Sequence, residues 1–212
     1  MIRTKHMLLA ALAATVWLHP GEADATSLTP LTVAQMTDAS DLIAHGIVTE
    51  VWVEKDDRGN LWTRANVEIT RTLKGDETVD AITVDQLGGV LHDEFQFIES
   101  VPRFSQGEQG LFFLETLNSG RTSVVGWSQG KYTHRIDPDS GEPMAVRYPV
   151  PLTTNYDHRF LPHPSPADRI YMADLEADIL ERLEQGWDGQ PIPGVDPAKL
   201  SRINKLQNGV VK

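Results

Sequence analysis

One short motif in the sequence could support nucleophilic catalysis by a serine. Residues 126–130 read Gly-Trp-Ser-Gln-Gly and match G-x-S-x-G, a pattern in which some hydrolases expose a serine at a sharp turn between a strand and a helix. The residues that could join Ser128 in a catalytic set are Asp137, Asp157, His158 and His163. Residues 131–136, however, predict a strand after Ser128 and not a helix. We therefore interpret the motif as a β-bulge or turn, assign no catalytic residue, and keep Ser128 as an alternative nucleophile.

Histidines and carboxylates occur together in two places where a metal ion could bind. Asp157, His158 and His163 have a spacing that fits no helical or zinc-knuckle pattern. The run His92-Asp93-Glu94 lacks the second histidine that a helical zinc motif places four residues after the first. The chain has no cysteine, which excludes thiol catalysis and cysteine-based metal sites. We predict no metal site and no cofactor, and we interpret His45 as a hydrogen-bonded, partly buried histidine.

A second class of candidate is a surface that binds a ligand through aromatic side chains. Trp52 and Trp62 lie on the more polar face of the first two predicted strands, and Arg64 follows on the same face as Trp62. Phe104, in a long connection, and Trp127, in the glycine-rich motif, complete the predicted binding residues. The alternative is structural, with a C-terminal helix covering Trp52 and Trp62, because large apolar groups are usually buried.

The net charge restricts the partners that such a surface would attract. The formal charge is −11, and the first 25 residues do not alter it because their two basic and two acidic residues cancel. An acidic surface repels phosphate backbones and anionic lipids, so we expect no nucleic-acid partner. A protein or a cell-envelope ligand remains as the expected partner, and the oligomeric state stays open.

The N-terminus has the three parts of a secretory signal peptide. Arg3 and Lys5 precede an apolar run from Met7 to Leu18, and Ala23-Asp24-Ala25 supplies an A-x-A cleavage pattern. The apolar run is shorter than the roughly 20 residues that span a bilayer. We therefore predict a signal peptide over 1–25, export to the periplasm or the cell exterior, and no membrane anchor after cleavage.

The region after the signal peptide alternates as strands do. Thr32 is expected to cap a helix from Val33 to about Ala39. Ile43, Ile47, Val51 and Val53 share one parity, which predicts one core face for the first strand. A turn at 56–60 joins it to a second strand with the cleanest alternation, which predicts a β-hairpin. Further strands are predicted at 79–87, 111–114, 122–125 and 131–136, with 111–114 apolar throughout and therefore covered on both sides.

The C-terminal part has a different composition, with more proline. Five prolines between 149 and 166 exclude regular structure over much of that stretch. Ser165 is then expected to cap a helix over 166–185, in which Met172, Leu175, Ile179 and Leu183 form an apolar stripe. Gly186 is the expected C-cap, and a last short helix is predicted from Asp196 to about Gly209.

These patterns predict a mainly β protein. We expect a small closed antiparallel barrel of about five strands, OB-like, with a short N-terminal helix and a C-terminal helical appendage. The predicted domains are the signal peptide at 1–25, the barrel at 26–148, and a Pro-rich segment with helices that pack on the barrel at 149–212.

Three segments carry a resemblance to a known family. Residues 39–48, 67–75 and 107–114 resemble the opening, the second strand and a later strand of netrin-like domains, the OB-fold modules of tissue inhibitors of metalloproteinases. Together with Gln129-Gly-Lys-Tyr132, the pattern also resembles a family of exported bacterial proteins of unassigned activity. The resemblance implies the fold. Metalloproteinase inhibition does not follow, because those inhibitors bind the target's zinc through an N-terminal cysteine that this chain lacks.

Three functional hypotheses remain at this stage. The first is an exported, non-enzymatic module that binds a ligand of unknown identity. The second is an exported serine hydrolase that uses Ser128. The third is a structural or accessory envelope protein whose C-terminal helix docks on a partner.

Overall fold

The structure is a computed structural model that describes residues 29–98, 100–148, 155–156, 162–163, 168–196 and 198–200. The predicted signal peptide, the side chains of Asp157, His158 and His163, the cap at Ser165 and most of the last predicted helix lie outside these ranges. None of the described helices is long and apolar enough to cross a membrane.

Two helices and twelve strands have both ends within the described residues, and residues 198–200 are also helical. The helices are α1 (Val33–Ala39) and α2 (Met172–Gln185). The strands are β1 (Leu42–Lys55), β2 (Leu61–Lys74), β3 (Ala81–Leu87), β4 (Gly89–Leu91), β5 (Glu94–Gln96), β6 (Gln109–Thr116), β7 (Thr122–Val124), β8 (Lys131–Ile136), β9 (Pro143–Arg147), β10 (Asn155–Tyr156), β11 (Pro162–His163) and β12 (Asp168–Tyr171). The prediction of a mainly β protein is confirmed.

Eight strands form one sheet in the order β1-β2-β3-β7-β6-β8-β9-β12, and β1 also pairs with β6. The strand pairs are antiparallel except for β3 and β7, which meet at a single parallel pair. The short strands β4 and β5 form a separate hairpin, and β10 and β11 form another. The sheet contains more strands than predicted, because β9 and β12 were not recognised in the sequence.

The β1–β2 hairpin forms because its turn satisfies its own backbone groups. Asp56 Oδ1 accepts hydrogen bonds from the backbone N–H groups of Arg58 and Asn60, at 2.9 Å each. Gly59 takes the positive φ of 85° that the tight turn requires. In β2 the predicted alternation is confirmed at its first half, where Leu61, Ala65 and Val67 are buried.

The single core face predicted for β1 is wrong. Ala44 and Val48 are buried in one apolar cluster, whereas Ile43 is buried in the other. A register shift between Val48 and Glu50 then changes which alternate side chains face inward. As a result, Val51 packs against the same cluster as Val48. A β-bulge adds one residue to a strand and therefore reverses which side chains face inward, which simple alternation cannot anticipate.

Two apolar clusters share β6 as their common wall. Leu111 and Phe113 belong to the first cluster, with residues of α1 and α2, whereas Phe112 and Leu114 belong to the second, with residues of β1, β2 and β3. The four side chains are at most 1 % exposed, which confirms that this strand is covered on both sides.

The start predicted for the C-terminal helix is wrong, but its apolar stripe is confirmed. Residues 168–171 form β12, which pairs with β9, and α2 begins at Met172. Backbone pairing with β9 therefore prevails over a local capping signal. Leu175 and Ile179 are fully buried in the first cluster, and Gly186 ends the helix with its N–H bonded to Arg182 O.

Candidate functional site

A cleft of about 1080 Å³ lies beside the second apolar cluster. It is bordered by the β4–β5 hairpin, residues 100–108, strand β8 and the turn at 126–130. Phe104 lines the cleft and packs against the second cluster, with its ring centroid 6.3 Å from that of Phe112. Through Phe104 the cleft therefore adjoins the apolar interior.

The β4–β5 hairpin forms the apolar side of the cleft. It is anchored on β2, because Gly88 N–H donates to Leu61 O at 2.7 Å and Leu61 N–H donates to Gln96 Oε1 at 2.8 Å. A Cβ atom at Gly89 would lie 2.7 Å from Thr63 Oγ1, so the backbone must approach β2 closely at this glycine. The hairpin and the residue after it hold Phe95 and Phe97 at the cleft with 78 % and 69 % of their surface exposed. Exposed aromatic side chains beside a cleft are typical of binding sites.

A polar wall faces the hairpin and is organised around Glu108. Glu108 Oε1 accepts hydrogen bonds from Lys131 Nζ at 2.5 Å and Thr133 Oγ1 at 2.6 Å. Lys131 Nζ also donates to Arg103 O at 2.7 Å and lies 5.4 Å from the centroid of the Phe104 ring. The Glu108 and Lys131 side chains are 11 % and 10 % exposed. This ion pair ties residues 103–108 to β8 and leaves little of either charge accessible to a ligand.

The G-x-S-x-G motif adopts the turn that the sequence indicated. Val125 and Gly130 both bond to the backbone of Phe113, and Gly130 N–H donates to Val125 O at 3.0 Å. Strands β7 and β8 therefore lie on the same edge of β6, and residues 126–129 form a short excursion between them. Gly126 and Trp127 have positive φ angles of 62° and 66°. The chain continues into a strand and not into a helix, so the motif lacks the strand-to-helix geometry of a nucleophile elbow.

Two serine hydroxyls line the cleft without a hydrogen-bond partner among the described residues. Ser100 Oγ and Ser128 Oγ are both buried, and the two residues are joined by a 3.1 Å bond from Ser128 N–H to Ser100 O. Ser100 holds a positive φ of 67°, an uncommon conformation for a residue other than glycine. Buried polar groups normally find partners, so an unpaired pair of hydroxyls at a cleft marks a place where a ligand could supply them.

The structure divides the predicted binding residues between separate places. Phe104 lines the cleft, as does Ser128, whereas Trp127 lies next to Ser128 but outside the lining and is 41 % exposed. Trp52 and Arg64 are cross-strand partners in the β1–β2 hairpin, with Arg64 Cζ 5.7 Å from the Trp52 ring centroid. They do not contribute to the cleft.

Trp62 belongs to the same surface as Trp52 and Arg64, and charged neighbours cover it. Arg121 Cζ lies 4.2 Å from the Trp62 ring centroid, and Arg121 Nη1 lies 2.9 Å from Asp85 Oδ1. Trp62 Nε1–H donates to Asp56 Oδ2 at 3.0 Å, and this bond, followed by those from Asn60, holds the pKa of Asp56 well below its usual range. Polar groups on this surface largely bond to one another, which favours a structural role for it.

The structural alternative, in which the C-terminal helix covers Trp52 and Trp62, is wrong in its choice of cover. The apolar residues of α2 pack in the first cluster, which contains neither Trp52 nor Trp62. Helix α2 instead lies against α1, β9 and β12. The two tryptophans are covered by arginine side chains, because guanidinium groups stack on aromatic faces while keeping their charge near water.

The prediction for His45 is confirmed. Its side chain is 19 % exposed, and its Nε2 lies 2.9 Å from Glu176 Oε1 of α2. Burial lowers the pKa of His45, although the Glu176 carboxylate opposes that effect. Across the described residues, no group of three or more histidine, cysteine or acidic side chains is arranged to hold a metal ion.

No protein-family model matches the chain, and comparison with curated proteins likewise finds no match. Sequence reasoning missed Ser100, Glu108 and Lys131, because their common feature is a shared cavity wall and not a spacing along the chain.

Proposed function

We propose that this chain is an exported, non-enzymatic binding module and that its cleft holds the apolar part of a ligand. The observation that carries the proposal is the exposure of Phe95 and Phe97 beside an open cleft of about 1080 Å³. Burying large apolar side chains is favourable, and Phe95 and Phe97 are not buried by the described chain. A ligand that covers them would therefore gain binding free energy. Export is supported by the signal-peptide pattern of residues 1–25.

The proposed scaffold is a small OB-like barrel. Its support is the order of strand pairing, which passes from β1 through β2, β3, β7 and β6 and returns to β1. The second apolar cluster, with side chains from β1, β2, β3, β6 and β7, would be the interior of that barrel. The cleft would then be an opening of the barrel, with Phe104 in its lining.

Two alternative functions have less support. A serine hydrolase needs a base within hydrogen-bond reach of its nucleophile, and Ser128 Oγ has no such partner among the described residues. An accessory protein that docks through the apolar stripe of α2 would need that stripe exposed, whereas Leu175 and Ile179 are buried in the chain's own core.

The proposal is tested with N-phenyl-1-naphthylamine, an uncharged apolar probe whose fluorescence rises on binding. We expect saturable binding to the wild-type protein and a loss of about tenfold in affinity for each phenylalanine removed in Phe95→Ser/Phe97→Ser. The matched control is Ile136→Ser/Leu180→Ser, which removes two exposed apolar side chains outside the cleft. Equal binding by the two double variants, or no saturable binding by the wild type, would refute the proposal.

A further inference from the structure

We propose that the ligand of this cleft is an amphiphile with a carboxylate head group, and that the hydroxyls of Ser100 and Ser128 bind that head group. This inference rests on the proposed binding function and adds the chemical class of the ligand. Three independent features support it: two unpaired hydroxyls, the charge of the cleft, and its size.

The hydroxyls supply hydrogen-bond donors that the described residues do not use. Ser100 is 6 % exposed, and its Oγ and that of Ser128 are buried without partners. Ser128 N–H donates to Ser100 O, so a backbone hydrogen bond joins the two residues, while neither hydroxyl has a partner among the described residues. A carboxylate has two acceptor oxygens and can take one hydrogen bond from each serine, and bonds to an ionised acceptor are the stronger kind.

The charge of the cleft favours an anion, although the chain as a whole carries −11. The charged residues that line it are Arg103, Glu108, Lys131 and Arg135, three positive and one negative. Glu108 and Lys131 neutralise each other at 2.5 Å. Within the described part of the chain, Arg103 and Arg135 form no ion pair, so the lining keeps two positive charges that no described carboxylate neutralises.

The size and the apolar side of the cleft indicate a small molecule with a hydrocarbon or aromatic body. A volume of about 1080 Å³ lies just above the range of about 300–1,000 Å³ that is typical of small-ligand sites. Val90, Phe95 and Phe97 lie along the cleft and are 68 %, 78 % and 69 % exposed, so they offer contact area to such a body. A head group near the nearly buried Ser100 must lose water, which favours a singly charged carboxylate over a doubly charged phosphate.

The test measures displacement of N-phenyl-1-naphthylamine by ligands that share a ten-carbon tail, below their micelle concentrations. We expect decanoate to displace the probe at about tenfold lower concentration than decanol, and monodecyl phosphate to be weaker than decanoate. In Ser100→Ala/Ser128→Ala the preference for decanoate over decanol, measured within the same variant, should fall below about threefold. Ser105→Ala, in the same cleft but at an exposed residue, is the matched control and should keep the preference.

Each failure has its own meaning. Probe binding without a preference for decanoate overturns the head-group inference and leaves the binding function standing. A preference that survives in the double serine variant overturns the role of the two hydroxyls, and tighter binding of monodecyl phosphate overturns the choice of carboxylate. Absence of probe binding to the wild type removes both the function and this inference.

Discussion

Arg182 of α2 forms a forked ion pair with Asp38 at the end of α1, across 144 residues of sequence. Arg182 Nε lies 3.1 Å from both carboxylate oxygens, and Nη2 lies 2.6 Å from Oδ2. The two side chains are 12 % and 6 % exposed, and bonding to Asp38 raises the pKa of Arg182. This pair joins α2 to α1, and the apolar stripe packs α2 in the first cluster.

Replacing Arg182 with methionine should therefore destabilise the protein strongly. The change leaves the nearly buried Asp38 carboxylate without its partner, at a cost of about 3 kcal/mol in the free energy of unfolding. Urea denaturation measures that cost. The double variant Arg182→Met/Asp38→Asn should recover part of it, because the uncompensated charge is gone; purely additive losses would contradict this account.

The burial of Lys74 leads us to expect that the free energy of unfolding rises with pH. Its Nζ donates to Thr37 O at 2.7 Å, and burial lowers its pKa to about 8 from the ordinary value of 10.5. Between these pH values the unfolded chain binds more protons than the folded chain, so the free energy of unfolding increases as the pH rises. We expect wild type to gain stability relative to Lys74→Met between pH 8 and 10.5.

The control for this pH dependence is Lys55→Met. Lys55 lies at the surface, where its Nζ is 2.6 Å from Glu94 Oε2 and its side chain is 39 % exposed. Its replacement removes the same charge without the burial that distinguishes Lys74, so wild type should gain less stability with pH relative to Lys55→Met than relative to Lys74→Met. Equal slopes for Lys74→Met and wild type would mean that Lys74 titrates normally.

Removing the hydroxyl of Thr133 should lower the free energy of unfolding, whereas removing that of Ser128 should not. Thr133 Oγ1 donates to Glu108 at 2.6 Å, so Thr133→Val should cost about 1–3 kcal/mol. Ser128 Oγ is buried without a described partner, so Ser128→Ala should leave the free energy of unfolding unchanged or raise it slightly. Thermal unfolding of the ligand-free protein compares the two, and a clear loss in Ser128→Ala would assign a structural bond to that hydroxyl.

A fluorophosphonate probe should not label Ser128. The probe reacts with serines whose hydroxyl is activated by a base, and the turn at 126–130 continues into β8 without supplying one among the described residues. Intact mass spectrometry of the treated protein measures the adduct. A stoichiometric adduct that disappears in Ser128→Ala would instead establish the hydrolase.

Expression with the native N-terminus in a Gram-negative host should yield a processed protein. We expect cleavage after Ala25, so that intact mass analysis of the periplasmic fraction finds a chain that starts at Thr26. Replacing Ala23 and Ala25 with leucine should block cleavage by removing the small residues that the peptidase requires. A full-length chain confined to the cytoplasm would contradict the proposed export.

Much of the local structure could be predicted because short-range interactions decide it. Thr32 and Gln35 cap α1 reciprocally, with bonds of 3.1 and 3.0 Å between residues three positions apart. The turn at Asp56 and the apolar stripe on α2 likewise depend on residues that are close together in the sequence. The candidate site was only partly predicted: Phe104 and Ser128 line the cleft, whereas Trp52, Trp62 and Arg64 form a separate surface.

The amino-acid sequence by itself determined the class of fold, the first hairpin and the turn around Ser128, since glycines, capping residues and alternation act within a few residues of one another. Only the tertiary structure decided that β1 shifts its inward parity, that residues 168–171 join β9 as a strand, and that Ser100 and Ser128 meet at one cleft. These features depend on which distant segments pack together. Which segments pack together depends on the burial and backbone pairing summed over the whole sheet. No single stretch of sequence is therefore enough to predict it.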